Sequence, residues 1–180
     1  MDRKSFLRNS AIGASTLLIP TLNSFTSKAN ARSTAASEPK IIRQDDGDVL
    51  NVIGDIQTHK LVGAETGNQI AEWTNNVDPG VGIPPHYHTR EDEIFRVIKG
   101  EFEIMVDGDV SVLKAGDIAF APRNVPHAWK VVGDEKGQMI TSSFPAGIED
   151  MFEELSQLPA GPPDFGKVTE ICGRFGVEFV

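Results

Sequence analysis

The segment that decides the fold is residues 80–100, GVGIPPHYHTREDEIFRVIKG. Its two histidines, His86 and His88, are separated by one residue, and alternate residues of a β-strand point to the same face. Both imidazoles can therefore reach one cation. Glu93 follows His88 after five positions, which is the wrong parity for one uninterrupted strand. We therefore expect a short loop or bulge at residues 89–92 before the next strand begins.

A third histidine ends a second segment, residues 116–127, GDIAFAPRNVPH. The chain has four histidines, and three of them, His86, His88 and His127, lie in these two segments. Together with Glu93 they form a mixed nitrogen and oxygen donor set, which suits Fe, Mn, Co, Ni or Cu, with Zn also compatible. The two segments predict a site for one divalent transition metal.

Both segments resemble the two sequence motifs of the cupin superfamily. The first motif, G-x5-H-x-H-x4-E-x6-G, is matched at every position of residues 80–100. The second, G-x5-P-x-G-x2-H-x3-N, is matched at Gly116, Pro122 and His127. Asn124 stands where Gly is usual, and Asn tolerates the left-handed backbone conformation that such a turn requires. Val131 stands where Asn is usual, which leaves the ligand positions intact.

The resemblance implies that His86, His88, Glu93 and His127 bind one metal ion. A metal that prefers five or six ligands would retain one or two positions for water, O₂ or substrate. In quercetinase-like cupins the glutamate is also thought to accept the enolic proton of the substrate, so Glu93 is a candidate catalytic base as well as a ligand. A carboxylate beside a dication has a depressed pKa, which opposes the basic role, and both roles stay open. The alternative is a metal-free pocket in which the four side chains are hydrogen-bonded.

From residue 40 onward the chain alternates short β-segments with turn signals. An Asp107-Gly108 dipeptide between two such segments predicts a tight hairpin. Many short strands at this spacing indicate a sandwich or barrel. The resemblance selects the cupin double-stranded β-helix, a small jelly-roll barrel with the metal inside. The predicted fold class is all-β with C-terminal helices, and the predicted strands are 49–53, 56–62, 69–77, 86–88, 93–98, 101–106, 110–113, 117–121, 127–132 and 138–144.

The pattern becomes helical after residue 147. Ile148, Met151, Phe152 and Leu155 recur at the spacing of a helix that lies on a surface. A second helix is predicted from an Asp164 N-cap to about residue 175, and Gly176 is expected to end it. This ending resembles that of single-domain bacterial cupins similar to quercetin 2,3-dioxygenase.

The first 31 residues have the pattern of an export signal. Arg3, Lys4 and Arg8 precede a short apolar stretch that is too brief to span a bilayer, and residues 29–31 form an A-x-A cleavage site. The signal resembles the twin-arginine type with Lys4 in place of the second arginine, and a Sec signal is the alternative. We therefore expect residues 1–31 to be a signal peptide, 32–39 a flexible lead-in and 40–180 the cupin domain, with a periplasmic or extracellular location.

Residues 32–180 carry 13 basic and 25 acidic side chains. This acidic balance argues against nucleic acid or an anionic membrane as a partner, because both bind clustered Lys and Arg. The single cysteine, Cys172, excludes an intramolecular disulfide and is expected to pack as a small apolar residue.

The pocket wall can be predicted from strand parity. Phe95 lies two residues after Glu93, and Trp129 lies two residues after His127, so each should share the inward face of its ligand. Phe120 is the third candidate for the wall, although parity alone leaves open whether Phe120 or its alanine neighbours face the metal. Aromatic walls would suit a flat aromatic substrate.

The resemblance implies a metal-dependent dioxygenase that uses O₂ to open a flavonol or a similar enolic aromatic substrate. One alternative is a non-enzymatic exported cupin that binds a small carbohydrate or aromatic ligand. Another is a different cupin enzyme, such as a sugar isomerase or an oxidase of small acids. A sugar isomerase would place Lys or Arg in the pocket, and Arg123 is the basic residue that can be placed near the ligands, although the sequence leaves its direction open. The fold family also makes a homodimer an expectation.

Overall fold

The computed structural model describes residues 38–159 and 161–180. The predicted signal peptide and most of the predicted lead-in lie outside these residues. Within the described part of the chain, no helix is long and apolar enough to cross a lipid bilayer. In chain order the elements are β1 (Asp48–Val52), β2 (Asp55–Leu61), α1 (Gly63–Thr66), β3 (Ala71–Val77), β4 (Gly82–His88), β5 (Asp92–Lys99), β6 (Glu101–Val106), β7 (Asp109–Lys114), β8 (Ile118–Ala121), β9 (His127–Val132), β10 (Gly137–Phe144), α2 (Glu149–Ser156), α3 (Phe165–Phe175) and β11 (Val177–Phe179).

Two antiparallel sheets enclose the main core. The first has the strand order β1-β2-β3-β10-β5-β8, and the second has the order β11-β4-β9-β6-β7. Alternate side chains of both sheets point inward and exclude water, which is the main source of stability in such a barrel. The prediction of an all-β barrel with C-terminal helices is confirmed. The buried members of this core are Val77, Phe95, Val97, Phe102, Ile104, Ala121, Trp129, Val131 and Met139.

The predicted hairpin between β6 and β7 turns at Asp107 and Gly108. Both residues have positive φ, 54° and 83°, as a two-residue turn that follows the twist of the strands requires. Val106 and Asp109 pair across it, which fixes the register of the hairpin.

The C-terminal helices form a second core with the edge of the first sheet. Met151, Phe152 and Leu155 of α2 are buried in a cluster that includes Trp73 of β3 and Cys172 of α3. The predicted boundaries of α3 are confirmed by its caps. The carboxylate of Asp164 accepts hydrogen bonds from the backbone N–H groups of residues 166 and 167, and residue 176 is left-handed, with φ of 84°.

Two elements have no counterpart in the sequence prediction. The short helix α1 lies between β2 and β3, and β11 pairs with β4 so that Phe179 lies opposite His86. A three-residue strand has too little local pattern to be recognised, because its stability comes from pairing with a distant strand. The last residues of the chain therefore border the site.

Candidate metal centre

Three strands bring the predicted ligands together. His86 and His88 share the inward face of β4, and His127 at the start of β9 pairs directly with His86. Glu93 reaches the same point from β5, which belongs to the other sheet. The loop between β4 and β5, residues 89–91, provides the change of parity that the sequence required. The centre therefore bridges the two sheets of the barrel.

The four side chains can reach a single ion. Each contributes one ligand atom, and these atoms all lie within 4.8 Å of one another. The carboxylate oxygen Oε2 of Glu93 is 3.3 Å from Nε2 of His127 and 3.8 Å from Nε2 of His88. All four residues are buried, with relative exposures of 5% or less.

Backbone carbonyls orient two of the imidazoles. Nδ1 of His86 lies 2.9 Å from the carbonyl oxygen of Pro84, and Nδ1 of His127 lies 3.0 Å from that of Val125. A carbonyl can only accept, so Nδ1 carries the proton in both rings and Nε2 presents a lone pair to the centre. Hydrogen bonds of this kind fix the tautomer and the ring direction of metal-binding histidines.

A buried carboxylate supports the third imidazole. Nδ1 of His88 lies 3.6 Å from Oε2 of Glu91, which is longer than a hydrogen bond but close enough for electrostatic attraction. Glu91 is only 4% exposed. This carboxylate lies behind His88, on the side of the ring away from Glu93.

The donor atoms fit a divalent cation. Within residues 38–159 and 161–180, Nε2 of His88 and Nε2 of His127 have no hydrogen-bond partner. The lone pair of His127 Nε2 faces the carboxylate of Glu93, and two acceptors at that distance repel each other unless a proton or a cation lies between them. A transition metal would satisfy all of these atoms at once.

The pKa values of the site agree with this fit. Burial, followed by the charges of His127 and His88, lowers the pKa of His86 to about 3, so its ring is neutral at pH 7. Burial raises the pKa of Glu93, but the attraction of His88 and His127 outweighs burial and holds it below its usual value. Burial lowers the pKa of His88, but Glu93 and Glu91 more than offset burial and leave it raised. A cation bound at Nε2 would favour the deprotonated, neutral form of His88 and so oppose this upward shift of its pKa.

The segment before β9 is tied to the end of β4. Asn124 is left-handed, with φ of 63°, as expected for the position where the motif has Gly. Its backbone N–H donates to the carbonyl of His88 over 2.7 Å.

Arg123 donates to Asp92 through Nε and Nη2, each over 2.9 Å, and is absent from the described lining of the pocket. Its direction, which the sequence left open, is therefore toward β5 and away from the metal centre.

A pocket of about 300 Å³ extends from the centre toward the C-terminal helices. Phe95 and Trp129 line it, as their parity predicts, and they are 2% and 4% exposed. The expectation for Phe120 is wrong, because this side chain is 52% exposed on the outer face. Glu93 pairs with Ala121 across β5 and β8, so the alanine points inward and Phe120 points outward.

Sequence reasoning missed a row of polar residues in the same pocket. Asp55, Gln57, Asn75 and Thr141 are 3% exposed or less, and all four line the cavity. The signal was present as alternate polar positions in β2, with His59 as its last member. Such alternation usually marks a solvent-facing side, whereas here the polar side faces the barrel interior.

Residues 73–143, which include all four predicted ligands, match the sequence profile described as "Cupin domain". A quercetin 2,3-dioxygenase of Bacillus subtilis is 28% identical over 119 residues, which cover 65% of this chain. An oxalate oxidase of Triticum aestivum is 30% identical over 119 residues, which cover 56% of this chain. The match spans only 34% of the length of the first relative and 53% of the second.

The structural comparison identifies the same architecture. The structure of KdgF from a Halomonas species superposes with a TM-score of 0.56 and 21% sequence identity. The match covers 63% of this chain and 99% of that protein. At this identity the likeness defines the fold of the barrel.

Proposed function

We propose that this chain, which belongs to the cupin superfamily, is a metal-dependent dioxygenase that opens a flavonol or a similar enolic aromatic substrate with O₂. The observation that carries the proposal is the convergence of three imidazoles and one carboxylate, of which His86, His88 and Glu93 line a mostly apolar pocket. The similarity to quercetin 2,3-dioxygenase supports the reaction class.

A divalent metal held by His86, His88, Glu93 and His127 would supply Lewis acidity and a template for both reactants. The neutral rings and the single carboxylate leave such an ion with a net positive charge, which favours an anionic enolate oxygen. The buried position of the four side chains keeps bulk water away from the reacting groups.

Glu93 is assigned the role of ligand. Its pKa is held below the usual value by His88 and His127 despite burial, so it is a weak proton acceptor. A general base at neutral pH needs a pKa near 7, whereas the pKa of Glu93 is shifted downward, away from that value. The enolic proton would then leave to solvent or to another group when the substrate binds.

Phe95 and Trp129 would orient a flat substrate. Their rings form part of the apolar wall beside the centre, and the ring centroid of Phe95 is 5.7 Å from that of His127. Among the described residues that line the pocket, none is Lys or Arg. This lining favours a neutral aromatic body over a small dicarboxylate or a sugar phosphate, which would need a cationic partner.

The test is elemental analysis followed by turnover. Protein prepared with Mn, Fe, Co, Ni or Cu should hold about one ion per chain, and His127→Ala should hold none. Tyr87→Phe is the matched control, because Tyr87 lies between two ligands but is only half-buried and donates to Glu178 on the side away from the centre. Metal-loaded protein should consume O₂ and release CO with quercetin. Flavonol binding without turnover by the metal-loaded protein would contradict the dioxygenase assignment and favour a binding protein.

A further inference from the structure

A second polar centre lies in the pocket, on β2, β3 and β10. Oδ2 of Asp55 accepts hydrogen bonds from Nε2 of Gln57 over 2.9 Å and from Nδ2 of Asn75 over 2.6 Å. Oγ1 of Thr141 donates to Oδ1 of Asn75 over 2.7 Å, which fixes the orientation of that amide. The network therefore holds the carboxylate of Asp55 in one position and satisfies only one of its oxygens.

Among the described residues, the other oxygen of Asp55 has no hydrogen-bond partner. Oδ1 is buried and has no hydrogen-bond partner in the described parts of the chain, and the same is true of Nε1 of Trp73. Asp55 is 3% exposed and Trp73 is 2% exposed, and both line the pocket. One atom is an acceptor and the other is a donor.

Two unpaired atoms of this kind are costly in a core. A buried polar group without a partner has given up its hydrogen bonds to water and gained none in return, and the loss is greater for a charged group. Burial raises the pKa of Asp55 to about 6, even though the hydrogen bonds from Gln57 and Asn75 oppose this shift. A purely structural network would pair both oxygens, whereas a recognition site leaves atoms for its ligand.

We propose that Asp55 Oδ1 and Trp73 Nε1 form a recognition site for hydroxyl groups on the substrate held at the metal centre. Oδ1 accepts a hydrogen bond from a substrate hydroxyl, and the indole N–H donates to a substrate oxygen. The preferred substrate is therefore polyhydroxylated and not merely aromatic. The inference rests on the proposed function, because it takes the ligand of this pocket to be the substrate of the metal centre.

Two pairs of probes test the inference. Quercetin and 3-hydroxyflavone share the oxygen atoms of the enolic ring, but only quercetin carries further hydroxyls. Catechol and phenol differ by one hydroxyl and need no dioxygenase chemistry. Affinities are measured without O₂ on metal-loaded protein, for the wild type, Asp55→Asn and Trp73→Phe. Asp45→Asn, a change of an exposed carboxyl in the segment before β1, is the matched control.

The wild type should prefer the more hydroxylated member of at least one pair by about ten-fold, the typical effect of a buried polar group. Asp55→Asn places an N–H donor where the acceptor was, or disturbs the Gln57 and Asn75 bonds, and should abolish that preference. The less hydroxylated probe of the pair should bind Asp55→Asn with the same affinity as the wild type. Metal content and the thermal unfolding midpoint are recorded for each variant, so that a folding or metal defect is distinguished from lost recognition.

The outcomes separate the two proposals. Equal binding of every probe to wild type and Asp55→Asn overturns the recognition site, for example because water occupies Oδ1, and leaves the dioxygenase proposal intact. Failure of both flavonols to bind the wild type overturns the dioxygenase proposal. In that case a preference for catechol over phenol that Asp55→Asn abolishes still supports the recognition site, and the absence of that preference overturns it.

Discussion

Oε2 of Glu93 lies 3.3 Å from Nε2 of His127, although the two residues belong to strands of different sheets. The pair is part of a centre that connects the two halves of the barrel. An ion bound there would therefore link the sheets as well as provide chemistry. Binding to the folded state alone stabilises a protein by mass action, so the metal should be visible in unfolding experiments.

We predict that the metal raises the unfolding free energy of the protein. At a free metal concentration about a thousand times the dissociation constant, the gain should be about 4 kcal/mol. Thermal unfolding with added metal and with a chelator measures it. His127→Ala should abolish the shift, and Tyr87→Phe should keep it. An equal shift in His127→Ala and wild type would mean that the ion binds elsewhere.

Glu91 should tune the affinity of the centre without binding the metal. It lies behind His88, and removing its charge frees that ring to rotate and weakens its donor nitrogen. Glu91→Gln should lower metal affinity by about ten-fold or more, within the range seen for such supporting residues. Competition with a chelating dye measures the affinity, with the exposed Glu103→Gln as control. The role assigned to Glu91 is wrong if the two variants bind metal equally well.

Several features were predictable because their cause is local. The caps of α3 depend on Asp164 and on the residue after the helix, and the hairpin depends on Asp107 and Gly108. The two motifs locate all four ligands, because period-two alternation and a fixed loop length determine their direction. The inward orientation of Phe95 followed directly from its position two residues after Glu93 in the sequence.

Other features depend on strand pairing, which no local pattern encodes. Phe120 points outward because Ala121 pairs with Glu93, and that register is determined by the tertiary structure. The position of β11 opposite His86 has the same origin. The polar row that begins at Asp55 was missed because alternation reveals two faces of a strand but does not say which one is buried.

Asp55 should make stability depend on pH in a defined direction. Its pKa is about 6 in the folded protein against an ordinary value of 3.8, so the folded state binds more protons between these values. The contribution of Asp55 to wild-type stability should therefore fall as pH rises from 3.8 to about 6, and its full penalty remains above that range. Asp55→Asn removes this component.

The measurement is the difference in unfolding free energy between Asp55→Asn and wild type at pH 4.5 and pH 7.5. We expect the difference to favour the variant by about 2 kcal/mol more at the higher pH, from 1.36 kcal/mol per pKa unit. His59, whose pKa burial lowers, contacts the network through Gln57 and titrates with the opposite slope. Its contribution largely cancels in the difference. A difference that is constant with pH would contradict the raised pKa of Asp55.

The left-handed conformation of Asn124 should be essential for placing His127. Asn124→Gly should leave stability and metal affinity nearly unchanged, because Gly adopts positive φ readily. Asn124→Val should cost about 1–2 kcal/mol and weaken metal binding, because a branched side chain is strained there. Denaturant unfolding and metal titration of the two variants provide the comparison. Equal behaviour of Gly and Val at this position would show that backbone strain does not govern the loop.

The two faces of β5 and β8 allow a matched test of the pocket wall. Phe95 is 2% exposed beside the metal centre, whereas Phe120 is 52% exposed on the outside of the barrel. Phe95→Leu removes the flat surface on which an aromatic substrate would stack, so kcat/KM for quercetin should fall about ten-fold, the equivalent of a lost aromatic contact of about 1.4 kcal/mol. Phe120→Leu makes the same chemical change and should alter kcat/KM by less than about two-fold, because surface substitutions have small effects.

Metal content distinguishes the loss of a substrate contact in the pocket wall from the loss of metal at the centre. Both variants should retain full metal occupancy, since neither residue is a ligand, and Phe95→Leu should lose about 1 kcal/mol of stability from imperfect repacking. The assignment of the inner face fails if Phe120→Leu impairs turnover as much as Phe95→Leu. If instead Phe95→Leu binds and turns over quercetin as well as the wild type does, the ring of Phe95 contributes only to the core, and the substrate occupies the part of the pocket under the C-terminal helices.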